Sequence, residues 1–140
     1  RHYFGEGVMD IMDVRDFILT FPMVEECQPF GEDVVVYKVG GRMFCCCMLP
    51  RSEYIAVKCH PDRAIHLRDE YSAVTPAYHF NKKHWNDLLV TLLPPDIIKR
   101  EIIHSYMLVI RNNVTPKSLS RELLDIVNAS GIRDTAELIL

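Results

Sequence analysis

The stretch DVVVYKVGGRMFCCCML, residues 33–49, decides the fold. Its first part is rich in β-branched residues and predicts a strand over residues 33–39. Gly40 and Gly41 form a two-residue turn signal of the kind that joins antiparallel strands, and residues 42–49 then predict the partner strand. The sequence therefore predicts a β-hairpin over this stretch.

Outward from this hairpin, alternating or apolar segments predict further strands at residues 53–58 and 84–92. Apolar residues at helical spacing predict helices over residues 10–21, after Pro61, from Pro95 to about Asn112, and from Pro116 to a cap near Gly131. An acidic loop is expected where Glu25, Glu26, Pro29 and Gly31 occur. Hairpin strands flanked by helices predict a single α+β domain, an antiparallel sheet of about four to six strands with helices packed on it.

Composition limits the class of protein. The chain has 140 residues, 49% of them hydrophobic and 25% charged, which suits one globular domain and excludes a disordered chain or a coiled coil. No apolar run is long enough for a membrane span, so we expect no membrane partner and a cytoplasmic location. The net charge of −3 argues against a strong general affinity for nucleic acid, although a local basic patch is compatible with it.

A second informative stretch is TPAYHFNKKHW, residues 75–85. Pro76 favours an extended or turned backbone, and strand-like alternation would place Tyr78 and Phe80 on one face and His79 and Asn81 on the other. Lysines beside aromatic rings suit the binding of a phosphate or an unstacked base. The same residues also suit a simpler arrangement, in which the aromatics belong to the core and the lysines to a solvated turn.

Four segments, GGRMFC, VKCHPDRAIHLRDEY, PAYHFNKKHW and SYMLV, carry a resemblance to the MmcQ/YjbR family of small bacterial proteins. The similarity runs in order from about residue 14 to residue 111. It implies a compact α+β domain with a CyaY-like or secretion-chaperone-like sheet, and DNA binding through a double-wing motif. We assign residues 9–114 to this domain. Residues 115–140 are expected to form a C-terminal helical extension that packs on the same domain or on a partner, where it could support a dimer.

The family elements in the second stretch fall on Pro76 to His79, on Asn81 with Lys82, and on His84 with Trp85. If the hairpin turn and this stretch lie on one side, Arg42, Lys82 and Lys83 could form a basic rim that would fit the two wings. The full candidate set for nucleic-acid binding is Arg42, Lys58, His79, Asn81, Lys82, Lys83 and His84. Arg51 and Arg63 are further cations, and for every member of the set a role in solubility alone is the simpler alternative.

Other chemistry is less well supported. A zinc site built from Cys45 to Cys47, Cys59, His60 and His66 lacks paired ligand spacing, and Cys45 and Cys47 should share a strand face that Cys46 does not. Five cysteines, an odd number, in a chain that we expect to be cytoplasmic predict reduced thiols.

The adjacency of Cys59 and His60 does not supply the geometry of a thiol nucleophile and its base. No phosphate-cradling glycine loop or serine elbow occurs. We therefore expect no enzyme activity, no cofactor and no metal.

The leading hypothesis is a non-enzymatic binding protein, with DNA as the partner that the resemblance implies. The alternative is a chaperone-like or regulatory module that binds a protein. A third hypothesis is a small-molecule pocket at Tyr78, His79 and Trp85.

Overall fold

The computed structural model of the chain describes residues 7–136. The strands are β1 (Val24–Cys27), β2 (Val34–Val39), β3 (Arg42–Met48), β4 (Tyr54–Lys58), β5 (Val74–Pro76) and β6 (Trp85–Leu89). The helices are α1 (Ile11–Ile18), α2 (Pro61–Glu70), α3 (Pro95–Asn112) and α4 (Lys117–Ser130), and a short 3₁₀ turn covers Leu49–Arg51. The strands form one antiparallel sheet in the order β1-β2-β3-β4-β6-β5, and α3 lies across β3 and β4. The predicted α+β domain with an antiparallel sheet is confirmed.

The predicted hairpin forms the β2–β3 pair, in which Val39 lies opposite Arg42. Gly40 and Gly41 have φ values of 57° and 79°, the positive values that a two-residue turn of this kind requires at both positions. A bulge after Tyr37 shifts the register. Cys45 and Cys47 lie in the helix-side core, and Cys46 lies on the opposite face of the sheet, as the alternation of strand residues predicts.

Helices α1 and α2 begin at residues whose side chains accept hydrogen bonds from the first free amides, Asp10 and His60. Asp10 accepts hydrogen bonds from the amides of Met12 and Asp13, and the Asp13 carboxylate accepts one from the Asp10 amide in return. Helix α3 buries the predicted stripe of apolar side chains, from Ile98 through Ile102 and Tyr106, against the sheet. This helix is the main cover of the helix-side core.

Four expectations need correction. The acidic loop predicted around Glu25 and Glu26 is strand β1, an edge strand whose charged residues discourage edge-to-edge pairing. Strand β5 was not predicted, because it has three residues and ends at Pro76, which has no amide to continue the ladder. The first helix ends at Ile18 and the fourth predicted strand ends at Leu89, three residues early in each case.

The C-terminal segment packs on the same domain as far as residue 136. Ser120 donates from Oγ to the carbonyl of Ile110 at 2.7 Å, and Leu123 and Val127 are buried. The carbonyl of Ala136 accepts a hydrogen bond from Arg63 Nη1 at 3.1 Å. Expectations about the first six and the last four residues, including docking of the final apolar tail, lie outside the described residues.

Within residues 7–136, no helix combines the length and the apolar character that crossing a membrane requires.

Candidate functional site

The sheet register places two connections at one end of the molecule: the hairpin turn at residues 39–42, and the loop at residues 77–84 between β5 and β6. Cys45 lies opposite Val57, so the start of β3 is beside the end of β4. Lys58 lies opposite Trp85, so the end of β4 is beside the start of β6, immediately after the 77–84 loop. Both connections therefore leave the sheet at the end marked by Lys58.

The 77–84 loop is organised by its own polar side chains. The carbonyl of Asn81 accepts from the amides of His84 (3.1 Å) and Trp85 (3.0 Å), and its Oδ1 accepts from the Lys83 amide at 2.9 Å. Lys82 Nζ donates to the carbonyls of Ala77 (2.8 Å) and Tyr78 (3.2 Å). The guanidinium of Arg68 donates to the Lys82 carbonyl, which ties the loop to α2. The conformation of this loop is therefore fixed by hydrogen bonds within the loop and to α2.

The bends in this loop overturn the expectation that Tyr78 and Phe80 share a face. Phe80 stacks on Trp85, with ring centroids 5.0 Å apart, and both rings pack on the sheet face opposite the helices. Tyr78 instead points outward with 69% of its surface exposed, and its ring meets His79 edge-on at 4.6 Å. The alternation fails because residues 78–80 bend and do not form a strand.

Beneath the loop, the buried carboxylate of Asp87 connects loop and sheet. Its Oδ2 accepts from the Tyr78 amide at 3.1 Å and lies 3.6 Å from Arg51 Nη1. The Arg51 guanidinium also lies 4.4 Å from the Tyr54 ring centroid and 5.5 Å from that of Tyr78. These contacts fix one end of the loop over the open face of the sheet.

The cleft beside Asp87 is small. His79 and Phe80 line it together with Cys46 and Arg51, and its volume is about 20 Å³. That is room for about one water molecule. Of the residues suggested for a small-molecule pocket, His79 lines this cleft, and Tyr78 and Trp85 do not.

The candidate cations have different environments. Arg42 and Lys83 are exposed, whereas Lys58 is partly buried and its Nζ donates to Asn113 Oδ1 at 2.8 Å. Burial lowers the pKa of Lys58, and the positive charge of Arg42 lowers it further. His84 is partly buried, and its carbonyl accepts from the Cys59 amide at 2.8 Å.

Arg63, which the sequence offered as a further surface cation, is fully buried. Its Nη2 donates to Glu101 Oε2 at 2.5 Å, and the Glu101 side chain is only 2% exposed. Arg63 therefore joins α2 to α3 in the interior and does not belong to the basic surface.

The cysteine thiols are free and mostly buried. Burial raises the pKa of Cys46 and Cys47 to about 11 and that of Cys59 to about 12. An activated thiol nucleophile has a lowered pKa, so these environments favour the neutral thiol. Among residues 7–136, no three histidine, cysteine or acidic side chains lie where they could hold a metal ion together.

The histidine of helix α3 is a core residue whose nitrogens have partners. His104 Nδ1 lies 3.1 Å from Asp134 Oδ2, and its Nε2 accepts from the His60 amide at 3.4 Å.

The sequence did not identify Asp87 as a site residue, and it indicated Arg51 only as a further cation. The signal that could have found Asp87 is the pair Asn86 and Asp87 inside an otherwise apolar strand. Adjacent strand residues point to opposite faces, so a polar pair in a central strand must find partners on both sides of the sheet. Asn86 Oδ1 accepts from Arg68 Nε at 2.7 Å on the helix side, and Asp87 holds the loop on the other.

The YjbR family model matches residues 19–108. A protein of Escherichia coli O157:H7, described as the uncharacterized protein YbdF, is 38% identical over 68 residues, which are 48% of this chain and 56% of YbdF. The chain thus spans little more than half of that relative.

Two solved structures have the same fold. Protein DR2400 of Deinococcus radiodurans, described as a DUF419 domain, has a TM-score of 0.75 at 26% identity, covering 91% of this chain and 92% of that one. A protein of Pseudomonas syringae has a TM-score of 0.63 at 22% identity, covering 71% of this chain and 98% of that one, a likeness that shows the fold alone.

Proposed function

The chain belongs to the YjbR family, and from this premise we propose that it is a non-enzymatic binding protein whose ligand is DNA. The hairpin turn (residues 39–42) and the 77–84 loop act as the two wings. The observation that carries the proposal is the strand register, which brings both connections to the same end of the sheet. Arg42 on one wing and Lys83 on the other can then contact the same phosphate backbone.

The local electrostatics favour an anion at this end. Burial lowers the pKa of Lys58 and the positive charge of Arg42 lowers it further, and a phosphate close to both cations would relieve their repulsion. Lys82 Nζ donates two hydrogen bonds to loop carbonyls, but it keeps its positive charge and a third N–H donor. Four cations are therefore available to the backbone of one duplex.

The overall charge of −3 does not prevent this binding but limits its strength. The acidic residues Glu25 and Glu26 lie on β1, at the sheet edge away from β6 and the 77–84 loop, and Glu26 is paired with Arg15. Contacts from lysine and arginine to phosphates carry no information on the bases. We expect weak, sequence-independent binding, with a Kd of roughly 10⁻⁴–10⁻⁶ M at physiological salt.

The experiment is a fluorescence-anisotropy titration of short duplexes of unrelated sequence at low salt. The variant Arg42→Ala/Lys83→Ala removes one exposed cation from each wing, and we expect its affinity to fall roughly tenfold, since exposed ion pairs contribute about 0.2–1 kcal/mol each. The matched control Lys99→Ala/Arg121→Ala removes the same charge from α3 and α4 and should bind nearly as tightly as the wild type. Equal losses in the two variants would mean that net charge, not the two wings, governs binding.

A second candidate, binding of a protein partner, is favoured by the outward-pointing Tyr78 ring beside the Arg51 guanidinium. Tyrosine and arginine are enriched among the residues that dominate protein–protein interfaces. If the wild type binds no duplex or single strand at low salt, the protein-partner proposal replaces the DNA proposal. Tyr78→Ala would then be the first variant to compare in a binding assay.

A further inference from the structure

A second and larger cavity lies on the helix side of the sheet. It has a volume of about 260 Å³ and lies between α1 and the first three strands. Its walls include Ile11 and Met12 from α1, Val35 and Tyr37 from β2, and Leu49 from the turn after β3. Nothing in the 77–84 loop or the hairpin turn contributes to it, so it is separate from the proposed DNA surface.

The cavity exists because the short helix α1 covers the sheet incompletely. Val14 and Ile18 are buried against the core, whereas β1 presents Glu26 toward α1 where a closely packed layer would carry an apolar residue. The Glu26 carboxylate accepts from Arg15 Nε at 2.7 Å and from Arg15 Nη2 at 3.1 Å. This ion pair holds α1 beside β1 and leaves an open volume next to it.

Exposed apolar side chains lie on both sides of the cavity opening. Met12 on α1 is 46% exposed, and Leu49 on the opposite side is 43% exposed. Large apolar groups on both sides of one opening are typical of a binding site, because an occupant between them would remove both from water.

Polar side chains line the cavity from both sides, Arg15 from α1 and Glu26, Gln28 and Tyr37 from the sheet side. The Tyr37 hydroxyl is hydrogen-bonded to Glu26, and burial together with this bond raises the pKa of Tyr37. A guanidinium has five N–H donors, and within residues 7–136 two of those on Arg15 are committed to Glu26. Arg15 can therefore donate to an acceptor inside the cavity, while its charge stays balanced by Glu26.

We propose that this cavity is a binding site for a small, neutral, mostly apolar molecule that carries one hydrogen-bond acceptor. Pockets for drug-sized ligands measure about 300–1,000 Å³, so a volume of about 260 Å³ suits a molecule no larger than a two-ring compound. The apolar rings would lie against Val35 between Met12 and Leu49, and the acceptor would face Arg15.

The test uses two probes of the same shape, 1-indanone, which has a carbonyl acceptor, and indane, which has none. Each is titrated into the ¹⁵N-labelled chain and followed by amide chemical shifts. We expect saturable shifts centred on the amides of Met12, Glu26 and Val35, with 1-indanone binding about tenfold more tightly than indane. One hydrogen bond to a charged donor accounts for that ratio.

Two variants test the location of the site. Val35→Phe fills the cavity from the sheet, and Leu49→Trp obstructs the opening from a position that is already exposed and so leaves folding intact. Both should abolish binding of both probes. Arg15→Met keeps the apolar length but removes the donors, and it should make the two probes bind equally.

The proposal fails if neither probe gives saturable shifts, if the shifts are spread over the whole sheet, or if Leu49→Trp binds like the wild type. It also fails if the wild type does not distinguish 1-indanone from indane, because the acceptor would then have no partner. The DNA-binding variant Arg42→Ala/Lys83→Ala should bind 1-indanone normally, so this site and the proposed DNA surface are tested independently.

Discussion

At the scale of single residues, the adjacent lysines of the 77–84 loop have different roles. Lys82 Nζ is bonded to two loop carbonyls, whereas the Lys83 side chain is exposed. We expect Lys82→Ala to loosen the loop and Lys83→Ala to leave it intact while weakening DNA binding. Trp85 is the one tryptophan of the chain and stacks on Phe80 in this region, so its fluorescence reports the loop.

Lys82→Ala should therefore shift the tryptophan emission toward that of a more hydrated ring, and Lys83→Ala should not. Lys82→Arg, which keeps the charge but changes the donor geometry, should show a smaller shift than Lys82→Ala. Identical emission from the Lys82→Ala variant and the wild type would show that the two carbonyl contacts do not hold the loop.

Residue roles of this kind were only partly predictable. The sequence identified Lys82 and Lys83 as a pair of cations, but which one turns inward depends on the bends of the loop, and no periodic pattern encodes those bends. Arg63 is different, since it lies four residues before Leu67 on the same face of α2, and both are buried. An arginine on the apolar stripe of a helix is a signal for an internal ion pair that sequence analysis could have used.

At the scale of elements, the two glycines of the hairpin turn give a matched comparison. A Cβ on Gly40 would lie 2.8 and 2.9 Å from the two methyl groups of Val114, whereas a Cβ on Gly41 would meet nothing within 4 Å. Both residues have positive φ, which costs a residue with a Cβ about 1–2 kcal/mol. Gly40→Ala should lower the free energy of unfolding by roughly 2–4 kcal/mol, because overpacking adds to that strain.

Gly41→Ala should lose only about 1 kcal/mol, the contribution of strain alone. Urea denaturation of both variants beside the wild type measures the difference. Equal losses would mean that the turn does not pack against Val114 in solution.

The segment after α4 provides a pH-dependent contact. Burial by itself would raise the pKa of Asp134, but its hydrogen bond to His104 and the positive charge of Arg111 outweigh burial and leave this pKa below its ordinary value of 3.8. A carboxylate with a lowered pKa stabilises the fold fully above about pH 5, and this contribution is lost as the pH falls through the folded-state pKa.

Asp134→Ala should therefore destabilise the fold by about 1.5–3 kcal/mol at pH 7, and the difference from the wild type should shrink below pH 4. Urea denaturation at a series of pH values measures it, with the exposed Asp125→Ala on α4 as a control that should change little at either pH. A difference that stays constant down to pH 3 would contradict the assigned direction of the shift.

Elements with strong local signals were predicted well, and short edge strands were not. The β2–β3 hairpin has a two-glycine turn between β-branched runs, and α3 has an uninterrupted apolar stripe. Strands β1 and β5 have four and three residues, and each is paired on one side only, so neither needs the alternating pattern that identifies a strand. Their partners are set by the sheet and not by local sequence.

At the scale of the whole molecule, the formal charge of −3 hides an uneven distribution. The acidic residues of β1 lie at one edge of the sheet, and Lys83 lies on the loop leading into β6, toward the other edge. Composition gives the net charge, whereas only the strand register shows where the charges lie. For this reason the sequence alone supported DNA binding only weakly. The proposed site is assembled by long-range strand pairing.

The salt dependence of DNA binding tests the central proposal most directly. If Arg42, Lys58, Lys82 and Lys83 neutralise about four phosphates, the logarithm of the association constant should fall with the logarithm of salt concentration with a slope of about −3 to −4. The Arg42→Ala/Lys83→Ala variant should reduce the magnitude of that slope by nearly two units, and Lys99→Ala/Arg121→Ala should leave it unchanged. Binding with no salt dependence, or the same slope in the wild type and the two-wing variant, would contradict the proposal that these two wings hold DNA.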